Sequence, residues 1–217
     1  MPLPSARFVI ACLLGLLWAS GLLSCQSDPT HRPAAELAAG QPTRVDTYTV
    51  DKSEALPSKD WQVYDLNGDT VCVPVVWRYR VKGATFTAAH PAETDSLVKF
   101  TFSRFLRQVL GSEQDAAAKR LLQRYTGFTP VVKKFTFQQG VLYGVDTVVV
   151  QHRTSYAAHY LLYVTPSYMY AIDLVVPAES SVRYPKDLSN NILVNIQINS
   201  FYIIGSDNKL LEVTTLK

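Results

Sequence analysis

Between Val131 and Val176 the chain repeatedly alternates β-branched and aromatic runs with short clusters of turn residues, and this stretch constrains the fold most. Val131–Phe137, Val141–His152, Ala157–Val164 and Tyr168–Val176 read as strands. Gln138-Gln139-Gly140, a turn near Thr154, and Thr165-Pro166-Ser167 separate them. Val, Ile and Tyr suit a pleated, half-buried surface, and connections this short oblige neighbouring strands to run antiparallel. The pattern predicts a long β-meander.

Upstream, Asn67-Gly68 signals a tight turn joining Trp61–Leu66 to Thr70–Val76. Ala84–Ala89 and Leu97–Arg104 follow as strands, the second with Val98, Phe100 and Phe102 alternating onto one side. A helix opens at Ser112, where Ser112-Glu113-Gln114-Asp115 is close to a capping box. Glu113 and Asp115 complement the helix dipole at its start, and Lys119, Arg120 and Arg124 at its end. Gly127 is a natural stop. Ala117, Ala118, Leu121, Leu122 and Tyr125 form the apolar stripe. From Asp187 to Phe201, Leu188, Ile192 and Ile196 recur at helical spacing, while Val194, Ile196 and Ile198 also alternate like a strand. The length favours a helix. A short strand is expected near Leu210–Thr214. Strands, helix, strands, helix predict the α+β class: an antiparallel β-sheet meander with a mid-chain helix and a C-terminal helix packed on it.

The N-terminus carries an address. Phe8–Leu23 is sixteen residues without a charged side chain. A bilayer-spanning helix needs ~20 apolar residues and a secretory core only ~7–15. Leu22-Leu23-Ser24-Cys25 resembles the bacterial lipobox. The resemblance implies cleavage between Ser24 and Cys25 and lipidation of Cys25. Residue 26 is Gln rather than Asp, which by the same resemblance favours the outer membrane in a double-membraned bacterium. The expected organisation is a signal peptide over 1–24, a flexible tether over 25–59 rich in Pro, Ser, Thr and Ala, and an α+β domain over 60–217. Within the tether, Thr47-Tyr48-Thr49-Val50 could add an edge strand. With Cys12 removed and Cys25 lipidated, Cys72 alone remains, in an apolar run that suits a buried, inert thiol.

Thr70-Val71-Cys72-Val73-Pro74-Val75-Val76-Trp77 resembles the opening strand of the PsbP/Mog1/DcrB-like family, where an apolar strand ends in Pro-x-x-Trp. The order of the later elements is similar as far as about Ile204. The resemblance implies a PsbP/Mog1-like fold and an exported or accessory protein. That family has no universal catalytic triad to carry over.

The composition excludes several classes. At 47% apolar the chain is not disordered, and 21 basic against 18 acidic residues give no electrostatic case for nucleic acid. Phosphate-cradling, dinucleotide, zincin and CxxC motifs are absent, as is Gly-x-Ser-x-Gly. His31, in the tether, and His90, before Pro91, read as plain surface residues. Arg78, Arg80 and Lys82 alternate; with Lys133 and Lys134 they make either a basic patch or a solvated face that blunts a sheet edge. Tyrosines cluster in the meander, which suits a core rim or a partner-binding face.

One constellation stands out. If Val150 pairs with His159 and Tyr160 with Ile172, the periodicity of the strands places Asp146, His152, His159 and Asp173 on one face, with His159 opposite Asp173. Two imidazoles and two carboxylates suit a zinc or ligand site. The competing explanation is the solvent face of an antiparallel sheet, where such residues belong, and it carries more weight.

The function expected from the sequence is a membrane-anchored lipoprotein with a non-catalytic binding or accessory domain in the bacterial cell envelope. Its partners are the membrane, through the lipid anchor, and an envelope protein; no cofactor and no nucleic acid are expected. The alternative is an envelope enzyme or metal-dependent hydrolase using the His/Asp cluster.

Overall fold

The structure is a computed structural model that describes residues 45, 47–53, 59–91, 97–107, 113–181 and 184–216, all within the unit Pro33–Lys217. Ser24, Cys25 and Ser112 lie outside the described residues.

The architecture corrects the α+β expectation: two antiparallel sheets, with only short helices among the described residues, make a β-rich fold. The smaller sheet contains β1 (Val50–Ser53), β2 (Trp61–Leu66), β3 (Asp69–Pro74), β11 (Gln197–Ile198) and β12 (Phe201–Tyr202), in that order. The larger contains β4 (Arg78–Lys82), β5 (Thr85–Ala89), β6 (Lys99–Leu106), β7 (Val132–Phe137), β8 (Val141–Gln151), β9 (Thr154–Val164), β10 (Tyr168–Pro177) and β13 (Leu210–Leu216). Its order is β13-β7-β8-β9-β10-β6-β5-β4, so the meander forms its centre.

The physical reason for the correction is what covers the apolar face. Tyr64 on β2 meets Tyr79 and Phe86 on the larger sheet, with ring centroids 4.6 and 5.2 Å apart. A second sheet therefore covers this face at Phe86, under Tyr64, and at Tyr170, whose hydroxyl meets Asp69; Phe100, Phe102, Ile172 and Leu174 are buried on the same face. The expected C-terminal helix is also short. α2 spans only Leu188–Val194, and the chain then turns into β11, which carries the buried Ile198. Both periodicities in Asp187–Phe201 were real, and each governs its own half. β1 and the buried Tyr48 fall inside the stretch 25–59 that reads as tether.

The mid-chain helix, α1 (Gln114–Thr126), matches its expected span and ends at Gly127, whose φ of 76° is the left-handed conformation glycine accepts without strain. Its start differs from the capping box. The N-cap is Glu113, without a side-chain cap bond. Asp115 instead accepts from Lys134 Nζ at 2.8 Å and from the Tyr143 hydroxyl at 2.6 Å, which fastens α1 to β7 and β8. This places α1 on the face of the larger sheet opposite the smaller sheet.

Hairpin turns set the register. Asn67-Gly68 forms the expected tight turn, with φ of 59° and 90°. β8 and β9 are joined through His152 and Arg153, both at positive φ (48° and 66°), the signature of a type I′ turn built without glycine. That turn pairs Val150 with Ser155 and Asp146 with His159, rather than Val150 with His159. Four residues, Thr165–Tyr168, separate the first β9–β10 pair, Val164 with Met169, although Tyr168 already belongs to β10 through its pairing with Leu106; the Thr165 amide closes the turn by donating to the Tyr168 carbonyl at 2.9 Å. Tyr160 therefore pairs with Asp173, not Ile172.

Candidate functional site

Directly opposed residues in an antiparallel pair share a face, so register decides which candidates meet. Asp146 and His159 are directly opposed on β8 and β9, and His159 Nδ1 donates to Asp146 Oδ1 across 2.7 Å. The His159 hydrogen bond, helped by the charges of His159 and Lys133, holds the Asp146 carboxyl below the usual carboxylate range despite partial burial. The His159 side chain is largely covered, while that of Asp146 is mostly exposed.

The other two candidates do not join them. Asp173 is opposed by Tyr160 and Thr101, whereas His159 is opposed by Leu174, so Asp173 projects from the other face of the sheet. The expected His159–Asp173 pairing is corrected by this one-residue difference. Burial pushes the Asp173 carboxyl up to about 7, against the opposing charge of Lys99. His152 is exposed at the tip of the β8–β9 turn, six residues along the strand from Asp146 and so about 20 Å away. Among the described residues no three His, Cys, Asp or Glu side chains are grouped to hold a metal ion. The expected four-residue cluster thus reduces to a dyad. Its chemistry is that of an oriented imidazole: Asp146 accepts from Nδ1, which fixes the ring and makes Nε2 its remaining polar atom.

Beside the dyad lies a concavity that sequence reasoning missed. A cavity of about 240 Å³ is lined by Ala157, Val176, Pro177, Tyr184, Lys186 and Leu188, among others. Its floor comes from β9 and β10, where Ala157 is directly opposed to Val176. Its wall comes from the segment leading into α2. Ala157 and His159 lie two residues apart on one strand, so the dyad and the cavity floor occupy the same face. On that face Val148 and Val150 are 62% and 68% exposed, which extends the apolar surface from the cavity floor at Ala157 toward the β8–β9 turn, away from the dyad. Lys186 brings a cation to the rim, and nothing in its local sequence marks it as part of a site.

Two further groups are structural. Asp69, at the start of β3, is fully buried and accepts from Arg104 Nη1 at 3.0 Å. The Tyr170 hydroxyl and the Asn199 amide add longer contacts to its other oxygen, both 3.4 Å. The Arg104 guanidinium lies 5.1 and 5.3 Å from the ring centroids of Tyr48 and Tyr168. Desolvation still outweighs these partners and pushes the Asp69 carboxyl up to about 6. Cys72 is buried, and desolvation pushes its thiol up to about 11, so it stays protonated at neutral pH and is a poor nucleophile.

No helix among the described residues is long and apolar enough to cross a membrane. No family model matches the chain, and no curated protein matches it. Among solved structures it is similar to a protein from Bacteroides thetaiotaomicron VPI-5482, with TM-score 0.37 and 13% identity over 60% of this chain and 44% of that one. The chain therefore spans less than half the length of that relative. It is also similar to LpqN of Mycobacterium tuberculosis, a protein involved in cell envelope biogenesis, with TM-score 0.39 and 11% identity over 69% of this chain and 90% of that one.

Proposed function

We propose that this chain is a bacterial envelope lipoprotein, cleaved after Ser24 and held to a membrane through Cys25, whose β-rich domain acts by binding rather than by catalysis. The observation that carries the anchor is Leu22-Leu23-Ser24-Cys25 at the end of an uncharged stretch too short to span a bilayer. Stable anchoring takes two or more acyl chains, which the lipobox resemblance implies at Cys25. Gln26 in place of Asp favours the outer membrane.

The dyad supports the binding role. Asp146 and His159 satisfy one another, and no other side chain among the described residues hydrogen-bonds His159. A nucleophile–base pair needs a Ser, Thr or Cys on the imidazole, and a metal centre needs further ligands. What adjoins the dyad is a cavity of mixed lining, in which Ala157, Val176 and Leu188 stand beside Ser180, Ser189 and Lys186, a surface suited to seating a side chain or small group of a partner. The involvement of LpqN in cell envelope biogenesis is compatible with this reading, which does not rest on it.

The test is metabolic labelling of cells expressing the full chain with an alkyne fatty acid, followed by membrane fractionation. Wild-type chain should carry the label and sediment with membranes, and Cys25→Ala should lose both. An unlabelled wild-type chain found outside the membrane fraction would refute the anchor. Crosslinking in intact cells from a photoreactive residue at Val148 should capture a reproducible envelope partner; capture of none would refute the binding role.

A further inference from the structure

The two end strands of the larger sheet differ in chemistry. β4 reads Arg-Tyr-Arg-Val-Lys, and β13 reads Leu-Leu-Glu-Val-Thr-Thr-Leu. Natural sheets protect their edges with charge, proline or brevity, because an open edge is a template for another strand. β4 follows that rule. β13 does not: it is seven residues long, has one charge and no proline, and is the terminal strand of the sheet among the described residues. Leu210, Leu211 and Val213 are 46%, 60% and 54% exposed.

We propose that β13 pairs antiparallel with β13 of a second copy of this chain, joining the larger sheets of two protomers edge to edge. The argument for a second copy as occupant is charge compatibility under two-fold symmetry. With Val213 on the dyad axis, Val213 faces Val213, Glu212 faces Thr214, Leu211 faces Thr215 and Leu210 faces Leu216. Within Leu210–Leu216 the apolar residues meet apolar or Thr residues, Glu212 meets Thr214, and no like charges are opposed; the same register brings the like charges of Lys209 and Lys217 opposite one another only outside that stretch, at its two ends. The same operation on β4 would set Arg80 against Arg80 and Arg78 against Lys82, which is repulsive. The two ends of one sheet are therefore opposite in self-compatibility. The inner edge of β13 is already occupied: Glu212–Leu216 pairs with Thr136–Val132, and the bulge at Leu211 interrupts the ladder only near its start. The regular part of the strand, Glu212–Leu216, contains the proposed axis at Val213. The interface is isologous and closes at two copies, so it gives a dimer rather than a fibre.

The test uses two differently tagged full chains expressed together and extracted in detergent, with co-purification as readout. Wild-type copies should co-purify. V213K in both copies places two cations face to face and should lower recovery about tenfold or more, and V213E in both should do the same. V213K in one copy with V213E in the other should restore recovery, because the charges at the axis then attract. Wild-type copies that do not co-purify overturn the proposal, as does undiminished recovery with V213K in both. Failure of the mixed pair to recover overturns it too, since damage to the fold would then account for both losses.

Discussion

Arg104 Nη1 donates to Asp69 Oδ2 across 3.0 Å, and this bond ties β6 of the larger sheet to β3 of the smaller one with both side chains withdrawn from water. Removing the cation leaves a buried carboxylate without a counter-charge, a change that costs about 3–5 kcal/mol in comparable pairs. Arg104→Met should destabilise by about that amount in urea unfolding. Adding Asp69→Asn removes the stranded charge, so the double substitution should be more stable than Arg104→Met alone. A double variant no better than the single one would show that Arg104 acts through its packing between Tyr48 and Tyr168.

Asp173 makes stability depend on pH. Its folded-state carboxyl, at about 7, lies above the unfolded value near 3.9, so the native chain binds its proton more tightly. This group's contribution is fully present below about pH 4 and is lost as pH rises through 7. Asp173→Asn should therefore stabilise the domain above pH 7 by on the order of 1 kcal/mol and change little at pH 4. Thermal unfolding across pH 4–8 checks it; an Asn variant less stable than wild type at pH 8 refutes it.

Asp146 acts in the opposite sense. The Asp146 carboxyl is held below its ordinary value, so its contribution is present above the unfolded carboxylate range and lost as pH falls through the lowered folded value. Asp146→Asn should weaken stability slightly at pH 7, by about 0.5–1 kcal/mol for a largely exposed partner. Among the described residues Asp146 and His159 are joined by no third metal-ligating side chain, so zinc should bind no tighter than about millimolar. Titration followed through the His159 ring resonances measures this, and micromolar saturation would refute the dyad's reading as ligand-poor.

The β8–β9 turn holds His152 and Arg153 at φ of 48° and 66°, where residues with a Cβ are strained. His152→Asn with Arg153→Gly supplies the pair that type I′ turns favour, and should stabilise by about 1 kcal/mol. A rise of several degrees in Tm is the expected result. An unchanged or lower Tm would show that the native side chains compensate through other contacts.

The strands of the meander and α1 were legible because their signals are local: alternation, turn clusters and a glycine stop. β2 begins and ends where the sequence places it, and Gly127 terminates the helix as expected. What failed was register. Pairing Val150 with His159 rather than Ser155 displaces the β8–β9 register by four residues, an even number, so Asp146 and His159 still fall on one face. Taking Thr165–Ser167 as a three-residue turn displaces β10 by one, and that odd step put Asp173 on the wrong side. A type I′ turn without glycine gives no compositional sign of itself. The second sheet was illegible for another reason. β3 pairs with β11, more than a hundred residues downstream, through Thr70 and Gln197, and no local pattern reports a partner that distant. The cavity depends on the same long-range closure, and Lys186 reads as an ordinary surface lysine.

Asp69 has partners 35, 101 and 130 residues farther along the chain, at Arg104, Tyr170 and Asn199. During synthesis the carboxylate therefore waits through most of the domain before its last contact emerges. Hairpins such as β2–β3 and β8–β9 can form as soon as they are made, whereas clamping the sheets together has to come late, after the entropy of closing very long loops has been overcome. A chain truncated before Asn199 would carry a prepared but unlatched pair of sheets, and would be open to proteases until the final segment arrived.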